Sequence, residues 1–183
     1  DLAPSRADIF KADARQLPLE PAKADFLFVD PPYSTHIEYS DDPRCIGKLD
    51  SGGSDAGQAY YGAMERVISE AHRVLKPGGY MALYVSDSFT KGKPAAAMPS
   101  GARAPAGPAG SAAPAPPPAS PAGRFMPIGF ELFARLRRVF TPVDIISVVR
   151  HNQKLERGNW KRAAEEGNFF LRGFNYLFVM YKP

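Results

Sequence analysis

Four consecutive residues, Asp30-Pro31-Pro32-Tyr33, combine side-chain types that could do chemistry in this order. They end a short apolar run, residues 26–29, which is typical of a buried strand. A side chain just after such a strand lies at the carboxyl edge of the sheet, where open α/β sheets bind ligands. Because each proline fixes its own φ and has no N–H, the chain leaves the strand on a rigid path with free carbonyl groups. We therefore predict a binding site at this strand end.

The acceptors of this segment suit an exocyclic amino group on an aromatic ring. The Asp30 carboxylate and the Pro31 carbonyl can accept its two N–H bonds, which draws the nitrogen lone pair out of conjugation and makes the nitrogen nucleophilic. Tyr33 offers a flat ring on which a base turned out of its helix can stack. The alternative is a strand followed by a tight Pro-Pro turn with an aromatic plug.

Length and composition limit the class of protein. The 183 residues can bury the core of one domain, and the net charge of +4 favours an anionic partner. The one cysteine, Cys45, excludes an internal disulfide and a Cys-rich zinc site, and no metal site is expected. No apolar stretch reaches the roughly 20 residues of a membrane span, and no signal-peptide pattern is present. These features predict a cytoplasmic protein that is not bound to a membrane, and they leave its oligomeric state open.

Strand and helix patterns alternate along the chain, which predicts an α/β sheet. We predict a weak strand over residues 8–11, a strong one over 25–30 and a central one over 80–85. The segments 143–149 and 174–181 close the chain as strands without a convincing helix between them. Such a last pair is often an antiparallel hairpin.

Two segments have the apolar spacing of amphipathic helices. The first extends from Tyr60 to Leu75 and ends at the breakers Pro77, Gly78 and Gly79, so it should pack on the sheet. The second covers residues 128–140. Its predicted inward residues are Phe130, Phe133, Leu136 and Phe140.

The segment from Pro94 to Gly123 contains only Ala, Pro, Gly and Ser apart from Met98 and Arg103. This composition cannot form a core, and its prolines prevent a sustained helix. We predict a disordered insertion that loops out of a single domain. A proline-motif ligand for a partner is the alternative.

Three stretches in this order carry a family resemblance: Ala-Asp-Ala-Arg-Gln-Leu-Pro at 12–18, Asp-Pro-Pro-Tyr at 30–33 and Arg-Val-Leu-Lys-Pro-Gly-Gly at 73–79. Together they resemble the S-adenosylmethionine-dependent amino-methyltransferases of the DNA adenine-N6 and cytosine-N4 type. The resemblance implies a Rossmann-like methyltransferase sheet, mostly parallel with an antiparallel C-terminal strand. It also implies S-adenosylmethionine as cofactor, DNA as partner, and methyl transfer to an amino group of adenine or cytosine.

The resemblance assigns roles to individual residues. Asp13, followed by Ala14, matches the acid that hydrogen-bonds the adenine amino group of the cofactor. The segment Asp30 to Tyr33 matches the catalytic loop, and Asp30 is also assigned to the cofactor side. Asp1 matches the acid that holds the cofactor ribose.

One part of the family pattern is missing from the sequence. A glycine-rich F-x-G-x-G loop after a strand would cradle the methionine part of the cofactor, but Gly52-Gly53 lies in a polar loop and Gly78-Gly79 ends a helix. We expect the glycine-rich loop to lie either before Asp1 or after Pro183, and the strand-like residues that end at Asp1 favour the first position, in an N-terminally incomplete domain. The alternative is a non-catalytic nucleic-acid-binding remnant.

Two further segments combine basic and aromatic residues that suit phosphates and bases. The polar segment Ser34 to Asp55 follows the catalytic loop and contributes His36 and Arg44. The segment 150–172 surrounds the only tryptophan, and its candidate contacts are Arg150, Lys154, Arg157, Trp160 and Lys161. A plain connection and a solvated helix with ion pairs are the respective alternatives. A tRNA or rRNA amino-methyltransferase is the alternative to a DNA enzyme, since such enzymes use similar loops.

Overall fold

A computed structural model describes residues 8–9, 12–36, 39–91, 123–149, 161–162, 164–165 and 172–183. The main elements of these residues, in chain order, are β1 (Ala24–Val29), α1 (Gln58–Val74), β2 (Leu75–Val85), β3 (Ser88–Lys91), β4 (Gly123–Met126), α2 (Ile128–Leu136), β5 (Thr141–Val149) and β6 (Phe174–Tyr181). Short 3-10 turns cover Ser34–His36 and Ile46–Lys48.

The main sheet has four strands in the order β1-β2-β6-β5. β1 is parallel to β2, whereas β6 is antiparallel to both of its neighbours, so that β1, β2 and β5 share one direction. The crossover from β1 to β2 contains α1, as a parallel connection requires. This arrangement confirms the predicted α/β class, the central position of β2 and the antiparallel final pair.

β2 begins at Leu75, directly after α1, and its pairing with β1 is irregular near this end. Leu75 already pairs with Ala24, and after a register shift Tyr80 pairs with Phe26. The breakers between them lie opposite this shift, where Gly78 has a φ of +81°. A Cβ on Gly79 would lie 2.9 Å from the carbonyl oxygen of Asp25, so the close approach of the two strands requires glycine there. The predicted breakers therefore form a bulge within β2.

The core lies between α1, α2 and one face of the sheet. α1 buries the apolar residues that the sequence assigned to its inner face, and α2 buries Ile128, Leu132 and Leu136. The prediction for Phe130 was wrong, because this side chain is 60% exposed. Phe130 is two positions from Ile128, which places it about 200° around the helix from the buried stripe. α2 ends at Leu136, and the buried Phe140 follows a turn.

The opposite face of the sheet carries exposed aromatic residues. Phe26 and Phe28 of β1 are 56% and 59% exposed, and Tyr80 pairs beside Phe26. Leu27 and Val29 alternate with them and pack against the core. No helix in the described part of the chain has the length and apolar character needed to cross a membrane.

β3 and β4 form a separate two-stranded antiparallel sheet that the sequence analysis did not predict. They flank the Ala/Pro-rich segment, and Lys91 pairs with Gly123. Gly123, assigned to the insertion from its composition, is therefore the first residue of a strand. Residues 94–122 lie outside the described residues, so their predicted disorder stays a prediction. The weak strand predicted over residues 8–11 is wrong at Asp8 and Ile9, which lie outside any strand, while residues 10–11 are not described.

Candidate active site

Asp30 is exposed directly after β1, at the carboxyl edge of the sheet. The hydroxyl group of Tyr33 donates a hydrogen bond of 2.8 Å to Oδ1 of Asp30. Pro31 is buried, and no described residue donates a hydrogen bond to its carbonyl oxygen. Oδ2 of Asp30 and the carbonyl of Pro31 are thus the acceptors of this loop that lack a donor within the described chain.

The Tyr33 side chain has a contact that the sequence did not predict. Its ring is partly buried and packs against the hydrophobic core, while its hydroxyl group holds Asp30. The predicted stacking of a base on this ring stays a prediction. A tyrosine three residues after the aspartate is the sequence signal that could have revealed the hydrogen bond.

Tyr60 of α1 supports the backbone of the Asp30–Tyr33 segment. Its side chain is fully buried, and its hydroxyl group donates a 2.8 Å hydrogen bond to the carbonyl of Pro32. Burial raises the pKa of Tyr60, which keeps the hydroxyl neutral and able to donate. The helical spacing of Tyr60 predicts a position in the core but carries no information about the partner of its hydroxyl group.

Ser34 ties the loop to the polar segment that follows it. Its side chain is buried, its backbone has a φ of 61°, and the backbone N–H of Ser51 donates to its Oγ at 2.8 Å. Gly52-Gly53 lies in the turn that follows, where Oδ1 of Asp50 accepts from the backbone N–H of Gly52 at 2.8 Å. Residues 50–52 therefore lie next to Ser34, directly after the Asp30–Tyr33 segment. The predicted place of the polar segment beside the target pocket stays a prediction.

A buried carboxylate joins three elements at the same edge of the sheet. Asp87 follows β2, is 8% exposed, and accepts hydrogen bonds from the backbone N–H of Gly129 at 2.9 Å and from the Tyr176 hydroxyl at 3.0 Å. The end of β2, the start of α2 and β6 are thereby linked. Asn175, the neighbour of Tyr176 on β6, donates from Nδ2 to the Tyr33 hydroxyl at 3.4 Å. No local sequence pattern predicts this cluster of Asp87, Asn175 and Tyr176, because only the sheet pairing brings the three side chains together.

The Tyr176 contact gives a pH-dependent prediction. Burial, and then the hydrogen bond to Asp87, raise the pKa of Tyr176 to about 12. Because the pKa of Tyr176 is higher in the folded than in the unfolded protein, its contribution to the free energy of unfolding is complete below pH 10. This contribution is lost as the pH rises through about 12. We expect Tyr176→Phe to lessen the fall in the free energy of unfolding across that window, as measured by urea denaturation at several pH values. Equal slopes in the two proteins would contradict the assignment, and the exposed Tyr80→Phe serves as the control.

The family model N6_N4_Mtase, described as DNA methylase, matches residues 24–182. The chain belongs to this DNA methylase family. The match begins at β1 and includes the Asp30–Tyr33 segment, both described α-helices and β6, which confirms the family resemblance of the sequence. No curated protein matches the chain.

Solved structures of TTHA0409, a candidate DNA modification methylase of Thermus thermophilus, show the same fold. The structure in complex with S-adenosyl-L-methionine has a TM-score of 0.56 at 18% identity and covers 93% of this chain and 51% of that chain. Another structure of TTHA0409 has a TM-score of 0.53 at 18% identity, with 94% and 52% covered. This chain thus spans about half the length of these structural relatives.

The segment predicted to hold the adenine end of the cofactor carries an ion pair. Nη2 of Arg15 lies 2.6 Å from Oδ2 of Asp13, and Nε of Arg15 donates to Oδ1 at 2.9 Å. The Arg15 guanidinium lowers the pKa of Asp13, whose side chain is 42% exposed. Ala14 lies in the exposed turn between them. Asp13 is therefore an ionised, accessible acceptor, although part of it already binds Arg15.

α1 fixes this segment to the rest of the methylase fold. Oε1 of Glu70 accepts the backbone N–H of Leu17 at 2.7 Å, and Arg73 donates to the carbonyl of Leu19 at 2.8 Å. Arg73 also pairs with Glu70 at 2.6 Å. The arginine that opens the 73–79 stretch of the family pattern therefore positions the Asp13 segment.

S-adenosylmethionine is the cofactor of the family, which confirms the predicted cofactor class. The described residues fit its adenine end, because the exposed Asp13 carboxylate can accept the adenine amino group. Among these residues, no glycine-rich turn directly follows a strand, so they offer no cradle for its methionine end. The expected position of that loop before Asp1 stays a prediction.

The predicted nucleic-acid contacts are only partly within the described structure. Arg44 is 77% exposed, pairs with Asp42 at 2.8 Å and lowers the pKa of Asp42 to about 2. Nη2 of Arg15 donates to the Arg44 carbonyl at 2.8 Å, which connects the Asp13 segment to the polar segment 34–55. Lys161 is exposed and lies 3.9 Å from Glu165. This pair joins residues four positions apart, as expected for the alternative prediction of a solvated helix with ion pairs.

The remaining predicted residues cannot be placed. Residues outside the described ranges are Asp1, Arg150, Lys154, Arg157 and Trp160, and the side chain of His36 is also not described. Within the described ranges, no cluster of three or more His, Cys, Asp or Glu side chains could hold a metal ion.

Proposed function

We propose that the chain forms the target-base part of an enzyme that transfers methyl from S-adenosylmethionine to the exocyclic amino group of adenine or cytosine in DNA. The observation that carries this proposal is that Tyr33 donates to Oδ1 of Asp30, whereas no described residue donates to Oδ2 or to the carbonyl of the adjacent Pro31. Two acceptors on a rigid strand exit match the two N–H bonds of an amino group.

The proposed roles of the residues follow from these contacts. Asp30 and Pro31 hold the amino group so that its lone pair is available, and the Asp30 carboxylate stabilises the positive charge that develops on the nitrogen. Tyr60 holds the Pro32 carbonyl and so keeps the loop backbone rigid. The bound cofactor supplies an electrophilic methyl group, and the amine needs no strong base if it reacts before losing its proton. Asp13 binds the adenine end of the cofactor, and Asp1 its ribose.

DNA is the proposed partner, and the cytoplasm the proposed location. The exposed Arg44 lies on the polar segment that follows the catalytic loop, where it can contact a phosphate beside the flipped base. Arg150, Lys154, Arg157, Trp160 and Lys161 would form a second contact surface. These assignments extend the family's DNA methylase description to this chain.

A methyl-transfer assay tests the proposal. The full-length protein is incubated with cofactor labelled on the methyl group and with duplex DNA or total tRNA and rRNA, and the products are digested to nucleosides and separated by mass. We expect label in DNA as N6-methyladenine or N4-methylcytosine. Label in RNA alone would replace DNA by RNA as the substrate. Absence of label from both, together with binding to nucleic acid, would show a non-catalytic remnant.

A further inference from the structure

Asn175 is a buried polar side chain at the edge of the catalytic loop. It is 2% exposed, and its Oδ1 atom is buried without a hydrogen-bond donor. Its Nδ2 atom donates to the Tyr33 hydroxyl group over a long distance of 3.4 Å. An unpaired buried amide oxygen costs stability that an apolar side chain of similar size would avoid. Packing alone therefore does not explain an asparagine at this position.

The contacts of Asn175 continue through Tyr33 to Asp30. The Tyr33 hydroxyl has one proton and donates it to Oδ1 of Asp30 at 2.8 Å. When the amide presents Nδ2 to the hydroxyl oxygen, it donates and does not compete for that proton. An acceptor in the same place would draw the proton away from Asp30. A donor at residue 175 thus leaves the Tyr33 proton available to Asp30.

We propose that Asn175 is a positioning residue for the target amine, because its donated hydrogen bond leaves the Tyr33 hydroxyl to donate to Asp30. With Oδ1 of Asp30 engaged in this way, Oδ2 and the Pro31 carbonyl form the acceptor pair. Asn175 touches neither the base nor the cofactor in this arrangement. The inference rests on the proposed methyl transfer, which supplies the amine that Asp30 binds.

Asn175→Asp tests the inference because its hydrogen-bonding role changes with pH. A protonated carboxyl group can donate to Tyr33 as the amide does, whereas the ionised form only accepts. Burial raises the pKa of such a carboxyl group, so both forms are accessible near neutral pH. Among the described residues, the titratable groups that reach this position are Tyr33 and, through it, Asp30, with Asp87 and Tyr176 next along the sheet edge.

We expect the kcat of Asn175→Asp relative to wild type to fall about tenfold between pH 5.5 and pH 8.5, with the KM for DNA nearly unchanged. In a Tyr33→Phe background, Asn175→Asp should add no pH-dependent loss. Asn175→Leu has no titrating group and should show a pH-independent loss. Gln58→Glu, on the exposed first turn of α1, controls for an amide-to-acid change elsewhere. Circular dichroism at each pH verifies that the variants are folded.

Equilibrium unfolding tests the same contact without catalysis. It compares wild type, Asn175→Asp, Tyr33→Phe and the double variant that carries both substitutions. A coupling between positions 33 and 175 that changes with pH supports the hydrogen-bonded arrangement. If that coupling is present and wild type methylates no nucleic acid, the proposed function is wrong but the contact is real. A change in KM alone, or equal pH profiles for wild type and Asn175→Asp, would overturn the positioning role. An Asn175→Asp loss that is unchanged in the Tyr33→Phe background would overturn it as well.

Discussion

Asp30→Ala is expected to lower kcat for methyl transfer by about 1000-fold, because removal of a charged group that stabilises developing charge costs that order of rate. The variant loses the acceptor for the amino group and the partner of the Tyr33 hydroxyl. Cofactor affinity should change by no more than about threefold, since the adenine end is assigned to Asp13. Single-turnover methyl transfer and calorimetric titration with the cofactor measure the two effects separately.

Two variants sharpen this experiment. Asp30→Asn keeps one carbonyl acceptor and should lose less activity than Asp30→Ala. Asp25→Ala is the matched control, because Asp25 lies on the same strand and its carboxylate forms an exposed ion pair with Lys76. Asp30→Ala with wild-type turnover would remove Asp30 from the mechanism. A large loss of cofactor affinity would instead assign Asp30 mainly to the cofactor side.

Gly129→Ala and Gly62→Ala are expected to change stability in opposite directions. Both glycines lie in helices, but a Cβ on Gly129 would lie 2.5 Å from the ring of Tyr176, whereas a Cβ on Gly62 meets nothing within 4 Å. Overpacking at Gly129 should lower the free energy of unfolding by about 2 kcal/mol. Gly62→Ala should raise it by about 1 kcal/mol, since alanine favours helix over glycine. Urea denaturation of the three proteins measures both changes.

The Gly129 result also bears on the site. Tyr176 and Gly129 both hydrogen-bond Asp87, so a displaced Tyr176 ring disturbs the link between β2, α2 and β6. Gly129→Ala should therefore also lower methyl transfer by a few-fold, and Gly62→Ala should not. Equal stability changes in the two variants would show that α2 shifts to accommodate the extra methyl group.

The sequence predicted those parts of the fold that depend on local patterns. The apolar run before Asp30 predicted β1 to within a residue, and the helical spacing from Tyr60 to Leu75 predicted α1. The family match confirms the resemblance that the catalytic loop and its two flanking stretches carried. These features are local because strand exits, helix faces and turn breakers are set by neighbours along the chain.

Misses arose where distant residues determine the outcome. Gly123 has one of the residue types of the Ala/Pro-rich insertion, yet it pairs with Lys91, because the partner strand determines where β4 begins. The exposed Phe130 has the residue type of a core position but lies away from the stripe that faces the sheet. The breakers at 77–79 lie within β2, since the approach to β1 determines the pairing of Leu75.

The sequence by itself determined that Asp30 follows a strand and that Pro31 and Pro32 make the exit from that strand rigid. These properties depend on residues that are neighbours along the chain and on the fixed φ of proline. Only the tertiary structure decided that Tyr33 holds Oδ1 of Asp30 and that Tyr60 holds the Pro32 carbonyl. It also brought Asn175, 142 positions away from Tyr33, to the same sheet edge. The pairing of β6 beside β2 places that side chain there, and no local pattern encodes it.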